Sequence, residues 1–368
     1  MNRFAALALT LAVALPLGCA HTTSQSEAVR PPQRARGLIE EPRRAALAAA
    51  VHSEFAKARG FDAAQVELAI RVGKESGRDA DRGLAQRVLA RTFRLIDPVW
   101  GGAREIADRT SGRAFFKTAS TQAELMRLYA IGWETWRGAS YLKAARDVDR
   151  YVKGYLTSPE GAFYTAQGST ADESGELFLS LDDNDRRSFG LPRVDQRVVS
   201  LDNAQLIDAM VRLYQATSDQ EVLDRAKTAA HWVLTHRRVE GGGIAHEDVA
   251  QGAAPSDTLA MGLACAELYR VTNEPEWLDQ AEDSVAFAAG AKAELSSGEL
   301  AGLARLAGAV HRLTGDGSLQ EIAAAALRQA LSSADTATIA RVLLADLEIG
   351  SPPASRLSVP ERTMLARQ

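Results

Sequence analysis

Four copies of one helix–turn–helix pattern run through the chain, and they restrict its fold more than any other feature. With Trp133, Tyr214, Tyr269 and His311 aligned, Leu125, Leu206, Met261 and Leu303 stand eight residues earlier, two turns away on the same helix face. Three residues later come Trp136, Thr217, Thr272 and Thr314, followed by turn-type residues such as Gly138, Asp219, Asn273 and Asp316. Twelve residues after the aromatic column stand Ala145, Ala226, Ala281 and Ala323, and seven further on Val152, Val233, Ala288 and Ala330. Each unit is a helix, a short turn and a second helix. Its columns are packing positions, the small residues letting neighbouring helices approach. A single hairpin cannot bury its apolar face, so the units must stack.

No segment alternates apolar and polar residues long enough to predict a strand, while Ala, Leu, Arg and Glu recur with helical periodicity, so the class is all-α. Upstream, 43–58, 63–73 and 80–96 read as further helices. A total of about eleven or twelve suits an (α/α)6 toroid of antiparallel hairpins, with an incomplete or irregular first hairpin, better than an open superhelix. In such a ring Trp133, Tyr214 and Tyr269 are expected to be buried at helix–helix seams. The units start 81, 55 and 42 residues apart, so two connections carry inserts, 158–200 and 237–256, and inserts in repeat architectures gather on one face.

The ends of the chain read differently. Arg3 precedes the apolar run 4–17, too short to cross a bilayer comfortably but suited to a signal segment. It ends in Leu15-Pro16-Leu17-Gly18-Cys19, which resembles a bacterial lipobox, though with Pro16 where Leu is usual. Two readings follow: a lipoprotein acylated at Cys19, or a soluble secreted protein with a free Cys19. Several acyl chains, each worth ~0.8 kcal/mol per buried CH₂, anchor stably. Ala20 in place of Asp favours the outer membrane, facing the periplasm. The chain divides into a leader at 1–18, a flexible tether at 19–40, the helical ring at 41–350 and a disordered tail at 351–368. The other cysteine, Cys265, lies in an apolar run and reads as a core filler. A net charge of −4 with mixed signs offers no basic stripe for nucleic acid.

The blocks Asp97-Pro98-Val99-Trp100-Gly101-Gly102, 122–129, Glu160-Gly161-Ala162-Phe163-Tyr164-Thr165, Leu191-Pro192-Arg193-Val194-Asp195 and 256–262 resemble those of the bacterial YyaL-type proteins and their spermatogenesis-associated thioredoxin-like relatives. The resemblance covers about 80–290. It implies an (α/α)6 toroid similar to six-hairpin glycosidases and N-acylglucosamine 2-epimerases, without the family's thioredoxin-like half, since no Cys-x-x-Cys or βαβ pattern is present. The family's His-Phe-Glu-Lys block reads Ala114-Phe115-Phe116-Lys117 here, and its Asp-Thr-His reads Asp195-Gln196-Arg197. Neither Ala nor Phe can move protons, so the resemblance implies catalysis lost or reduced.

Candidate ligand-binding residues lie mainly in the inserts: Asp195, Asp202, Asn203, His246 and Asp257, with Trp100, Phe163 and Tyr164 as flat platforms for a sugar ring. Asp202 and Asp257 also read as helix N-caps, a role that does not exclude the other, and the three aromatics as plugs of the ring's ends. His246 lacks a second histidine at i+4, so no metal is expected, and Gly241-Gly242-Gly243 reads as a positive-φ turn rather than a phosphate loop. No cofactor is called for. Three functions remain open: a carbohydrate- or glycan-binding envelope lipoprotein, an active glycoside hydrolase or sugar epimerase, and a scaffold for an envelope protein partner. Replacing Cys19 with Ser tests the anchor: the protein should leave the membrane fraction on fractionation, and unchanged partitioning rejects acylation.

Overall fold

The structure, a computed structural model, describes residues 37–57, 61–76, 79–105, 116–168 and 175–351, all within the compact unit that begins at Ala35. The leader, the tail after 351 and most of the tether, including Cys19, lie outside these residues, as do Ala114 and Phe115. Fourteen α-helices are present among the described residues: α1 (Glu41–Lys57), α2 (Ala63–Ser76), α3 (Asp79–Thr92), α4 (Ala119–Trp136), α5 (Ala139–Tyr151), α6 (Gly175–Ser180), α7 (Asp183–Phe189), α8 (Ser200–Thr217), α9 (Gln220–Arg237), α10 (Pro255–Thr272), α11 (Pro275–Gly290), α12 (Ser297–Thr314), α13 (Gly317–Ser333) and α14 (Thr336–Ile349).

Helices α2, α4, α8, α10, α12 and α14 pack side by side in that order, and α14 returns to α2, closing an inner ring. The outer helices α3, α5, α9, α11 and α13 each fold back on the inner helix before them, while α1 covers α14 and α2. The fold is an (α/α)6 toroid. Its irregular hairpin is the closing one, made of the two chain ends, α14 and α1.

The repeat columns explain the core. Leu125, Leu206, Met261, Leu303, the four column alanines at 145, 226, 281 and 323, and Val152, Val233, Ala288 and Ala330 have no exposed surface. The aromatic column departs from expectation: Tyr269 is buried, but Trp133, Tyr214 and His311 are only half-buried. The reason is their place in the last turn of each inner helix, where their carbonyls accept from the left-handed cap residues Arg137, Ser218, Asn273 and Gly315. The threonine column fastens the turn that follows. Thr217, Thr272 and Thr314 donate to the carbonyl four residues back and accept from the N–H two residues on.

The connections to the next inner helix repeat too. Bridged turns pair Ile96 with Ala103, Thr157 with Phe163 and Arg238 with Ile244, each turning on glycines with positive φ, among them Gly101, Gly161 and Gly242. The following inner helix then clamps the turn: Gln122 bonds both backbone groups of Ala103, Asn203 those of Phe163, and Thr258 accepts from Ile244 N–H. A small antiparallel sheet, β1 (Lys117–Thr118), β2 (Ala166–Gln167) and β3 (Val194–Asp195), ties the longer insert to the start of α4.

The closing hairpin is joined at Asp346 of α14. Its fully buried carboxylate accepts from Ile39 N–H at 2.9 Å and lies 3.6 Å from Arg44, and Gly37 presses so close that a Cβ there would strike it. Asp346→Ala should lower stability by about 1–3 kcal/mol in urea denaturation by stranding the Ile39 N–H. Asp346→Asn, which keeps an acceptor, should cost clearly less.

Candidate functional site

The inner helices enclose an axial cavity of about 520 Å³ that all six line. It opens where the inner helices begin, since Asp62, Ser256, Ser296 and Glu299 stand at its edge and Glu67, Arg127, Asp208 and Arg305 lie deeper along the same helices. The repeat register sets its walls. One residue before the buried Leu/Met column, Glu124, Gln205, Ala260 and Gly302 face the cavity, and two residues after it stand Arg127, Asp208, Leu263 and Arg305.

The floor is ionic. Glu67 receives Arg127, Arg71 at 2.7 Å and Arg305 at 3.5 Å, and Arg127 also meets Asp208 at 2.6 Å. Burial opposes the charge on Glu67, yet the guanidiniums of Arg127, Arg71 and Arg305 hold its carboxyl well below the usual range. Above this layer the wall keeps two ionic side chains, Glu124 and Arg341, that have no hydrogen-bond or ion-pair partner among the described residues. Burial, then the neighbouring Asp62 charge, raises the Glu124 carboxyl, and Arg341 opposes the rise.

At the rim, beside the cavity, α8 and α10 hold a titratable cluster. Ser200 pins the segment before His246 through its N–H to His246 O and its hydroxyl to Ala245 O. That places His246 Nδ1 3.0 Å from both oxygens of Asp257. Asp257 is buried, which raises its carboxyl against the pull of His246. Asp202 has no hydrogen-bond or ion-pair partner among the described residues; burial pushes its carboxyl up to about 6, with His246 lowering it and Asp257 raising it further. Such a group can carry a proton near neutral pH.

Of the eight sequence candidates, Asp202, His246 and Asp257 come together. Asp202 and Asp257 are not N-caps: Val199 and Ala254 hold those positions, and both acids stand third in their helices. Phe163 is fully buried in the core, and Asn203, also fully buried, clamps its backbone, so both build the bridged turn. Trp100 is buried against Tyr155 at 4.9 Å and donates to Asp183 at 2.7 Å. Tyr164 packs half-buried on the core, and Asp195 is neutralised by Arg197 at 2.7 Å. None of the eight lines the axial cavity. Lys117, from the altered family block, is sequestered by Asp97 at 2.8 Å and Gly101 O, and burial lowers it to about 8. Cys265 is buried in the core. Among the described residues no group of three ligand-type side chains is placed to hold a metal ion. Sequence reasoning missed Glu124, Arg127, Asp208, Arg305 and Arg341. For the first four the signal was present, because positions flanking a buried repeat column face the ring's axis.

Residues 126–294 match the family model described as Glycosyl Hydrolase Family 88, a segment that contains Arg127, Asp202, Asp208, His246 and Asp257. Among curated proteins none matches. A protein of known structure from Listeria innocua is similar with a TM-score of 0.55 and 13% identity, over 79% of this chain and 85% of that one. The cellobiose 2-epimerase of Spirochaeta thermophila is similar at 0.53 and 16%, over 67% of this chain and 66% of that one. That of Bacillus thermoamylovorans is similar at 0.52 and 15%, over 64% and 67%. The chain therefore has the six-hairpin glycosidase-like fold.

The rim carries a pH prediction. The folded-state pKa of Asp202 lies above its ordinary 3.8, at about 6, so folding favours its protonated form. Its contribution to stability is present below about pH 4 and is lost as pH rises through about 6. Asp202→Asn should therefore stabilise the protein by about 1–2 kcal/mol at pH 7, after allowance for partial exposure, and by almost nothing at pH 4. Denaturant melts at the two pH values measure the difference.

Proposed function

We propose that this chain binds a short saccharide in its axial cavity and is a cell-envelope lipoprotein whose catalysis is reduced. The cavity carries the reading: about 520 Å³ is room for a small sugar, and its lining mixes aliphatic side chains with charged, amide and hydroxyl groups able to hydrogen-bond sugar hydroxyls. The similarity of 126–294 to a glycosyl hydrolase model and of 67% and 64% of the chain to two cellobiose 2-epimerases supports a carbohydrate ligand. Within that superfamily we place the chain beside the YyaL-type proteins on its sequence blocks. Reduced catalysis is supported by Phe116 in the altered block and by Lys117 locked against Asp97. The lipobox-like Cys19 supports the envelope location.

A second reading, an active glycosidase or epimerase, is favoured by one observation, the proton-carrying Asp202 beside the His246–Asp257 pair. Calorimetric titration with cellobiose, mannobiose and chitobiose, with chromatography of the same mixtures, separates the two. Saturable binding without new products is the expected result. Product formation that disappears in a folded Asp202→Asn variant hands the function to the enzyme reading.

A further inference from the structure

Most charged side chains in the cavity are consumed by the protein. Glu67 and Asp208 belong to the floor's ion pairs, Glu299 closes a capping box with Ser296 and accepts from Ser256, and Asp62 accepts from Gln65 N–H at 2.8 Å. Glu124 is the exception among the acids. It stands in the column whose equivalents are Gln205, Ala260 and Gly302, so the repeat does not need a carboxyl there. Beside it, on the wall formed by α2, α4 and α14, lie Asp62 and Arg341. On α8, the neighbour of α4 in the ring, Gln205 keeps a buried amide oxygen with no partner, and across the cavity Arg305 on α12 keeps a buried Nε. A wall that leaves an acid, a guanidinium and an amide oxygen unused has polar groups to spend on a ligand.

We propose that Glu124 is a ligand-contacting acid of the saccharide site, donating a hydrogen bond to an oxygen of a bound neutral sugar while Arg341 flanks it. This rests on the carbohydrate reading and deepens it. Burial and the Asp62 charge both favour the acid form of Glu124, the form able to donate; no bond is made or broken in this role, and a hydrogen bond to a sugar oxygen satisfies a carboxyl that the fold leaves unpaired.

The experiment is calorimetric titration of the full protein with the disaccharide of the panel above that binds most tightly, across about pH 4–8. Wild-type affinity should fall as pH rises and Glu124 loses its proton. Glu124→Gln, whose amide N–H replaces the acid O–H, should bind within about threefold of wild type at pH 4 with a flat pH profile. Glu124→Leu should bind about tenfold or more weakly. Thermal melts of both variants establish that they fold, and a variant that fails to melt cooperatively is replaced by Glu124→Met. Wild-type-like affinity in Glu124→Leu, or an unchanged pH slope in Glu124→Gln, overturns the assignment while leaving the carbohydrate reading intact. Failure of wild type to bind any of the three disaccharides overturns both.

Discussion

The ion layer across the ring's axis is the constraint on which the rest depends. Among the described residues, four carboxylates, Glu67, Asp208, Glu267 and Glu348, meet six guanidiniums, those of Arg71, Arg127, Arg212, Arg270, Arg305 and Arg312. Every inner helix contributes at least one. Removing one member of such a pair leaves a buried charge uncompensated, at a cost of about 3–5 kcal/mol, whereas the intact pair adds little net stability over an apolar filling. Its consequence is therefore geometric. The guanidiniums of Arg127 and Arg305 close the cavity's floor, and nearer the start of the inner helices α8, α10 and α12 offer Ala204, Ala260 and Gly302. The cavity is the space left by that change of side-chain length.

Because the cavity follows the repeat register, each inner helix contributes through the same positions, and variation within a column is the informative quantity. The column of Gln122, Asn203 and Thr258 keeps polar side chains for one structural task, clamping the bridged turns. The column of Glu124, Gln205, Ala260 and Gly302 performs no such task, and its members vary from charged to absent. Polar residues in the first column hold the scaffold; in the second they face the cavity.

The hairpins were legible because their columns recur in the chain itself. The closing hairpin was not: α1 and α14 come from opposite ends, and their junction depends on Asp346 reaching Ile39, a contact with no periodic signature. The rim was legible in part, since Asp202, His246 and Asp257 are polar residues at insert boundaries. The same reasoning misplaced Asn203 and Phe163, because a polar side chain next to an aromatic in a loop looks the same whether it faces a ligand or clamps a backbone. Trp100 failed for a related reason. Its partners Asp183 and Arg186 lie in α7, far along the chain and without pattern.

Asp202 shows how the two roles can be told apart physically. It shares a column with Thr121, Asp257 and Glu299, each third in its helix, where a carboxylate gains roughly 0.3–1 kcal/mol from the helix dipole. Glu299 follows that logic: burial opposes it, but Ser296 and Ser256 lower its carboxyl. Asp257 has His246. That hydrogen bond offsets only part of the burial of Asp257, whose carboxyl still rises; Asp202 has no such partner and its carboxyl rises to about 6, so desolvation outweighs whatever the dipole returns. A first-turn acid that the fold leaves unpaired and partly desolvated is destabilising at neutral pH, and capping does not account for it. Such a cost, set beside the His246–Asp257 pair at the rim of the cavity, marks Asp202 as a carboxylate that the helix itself does not require.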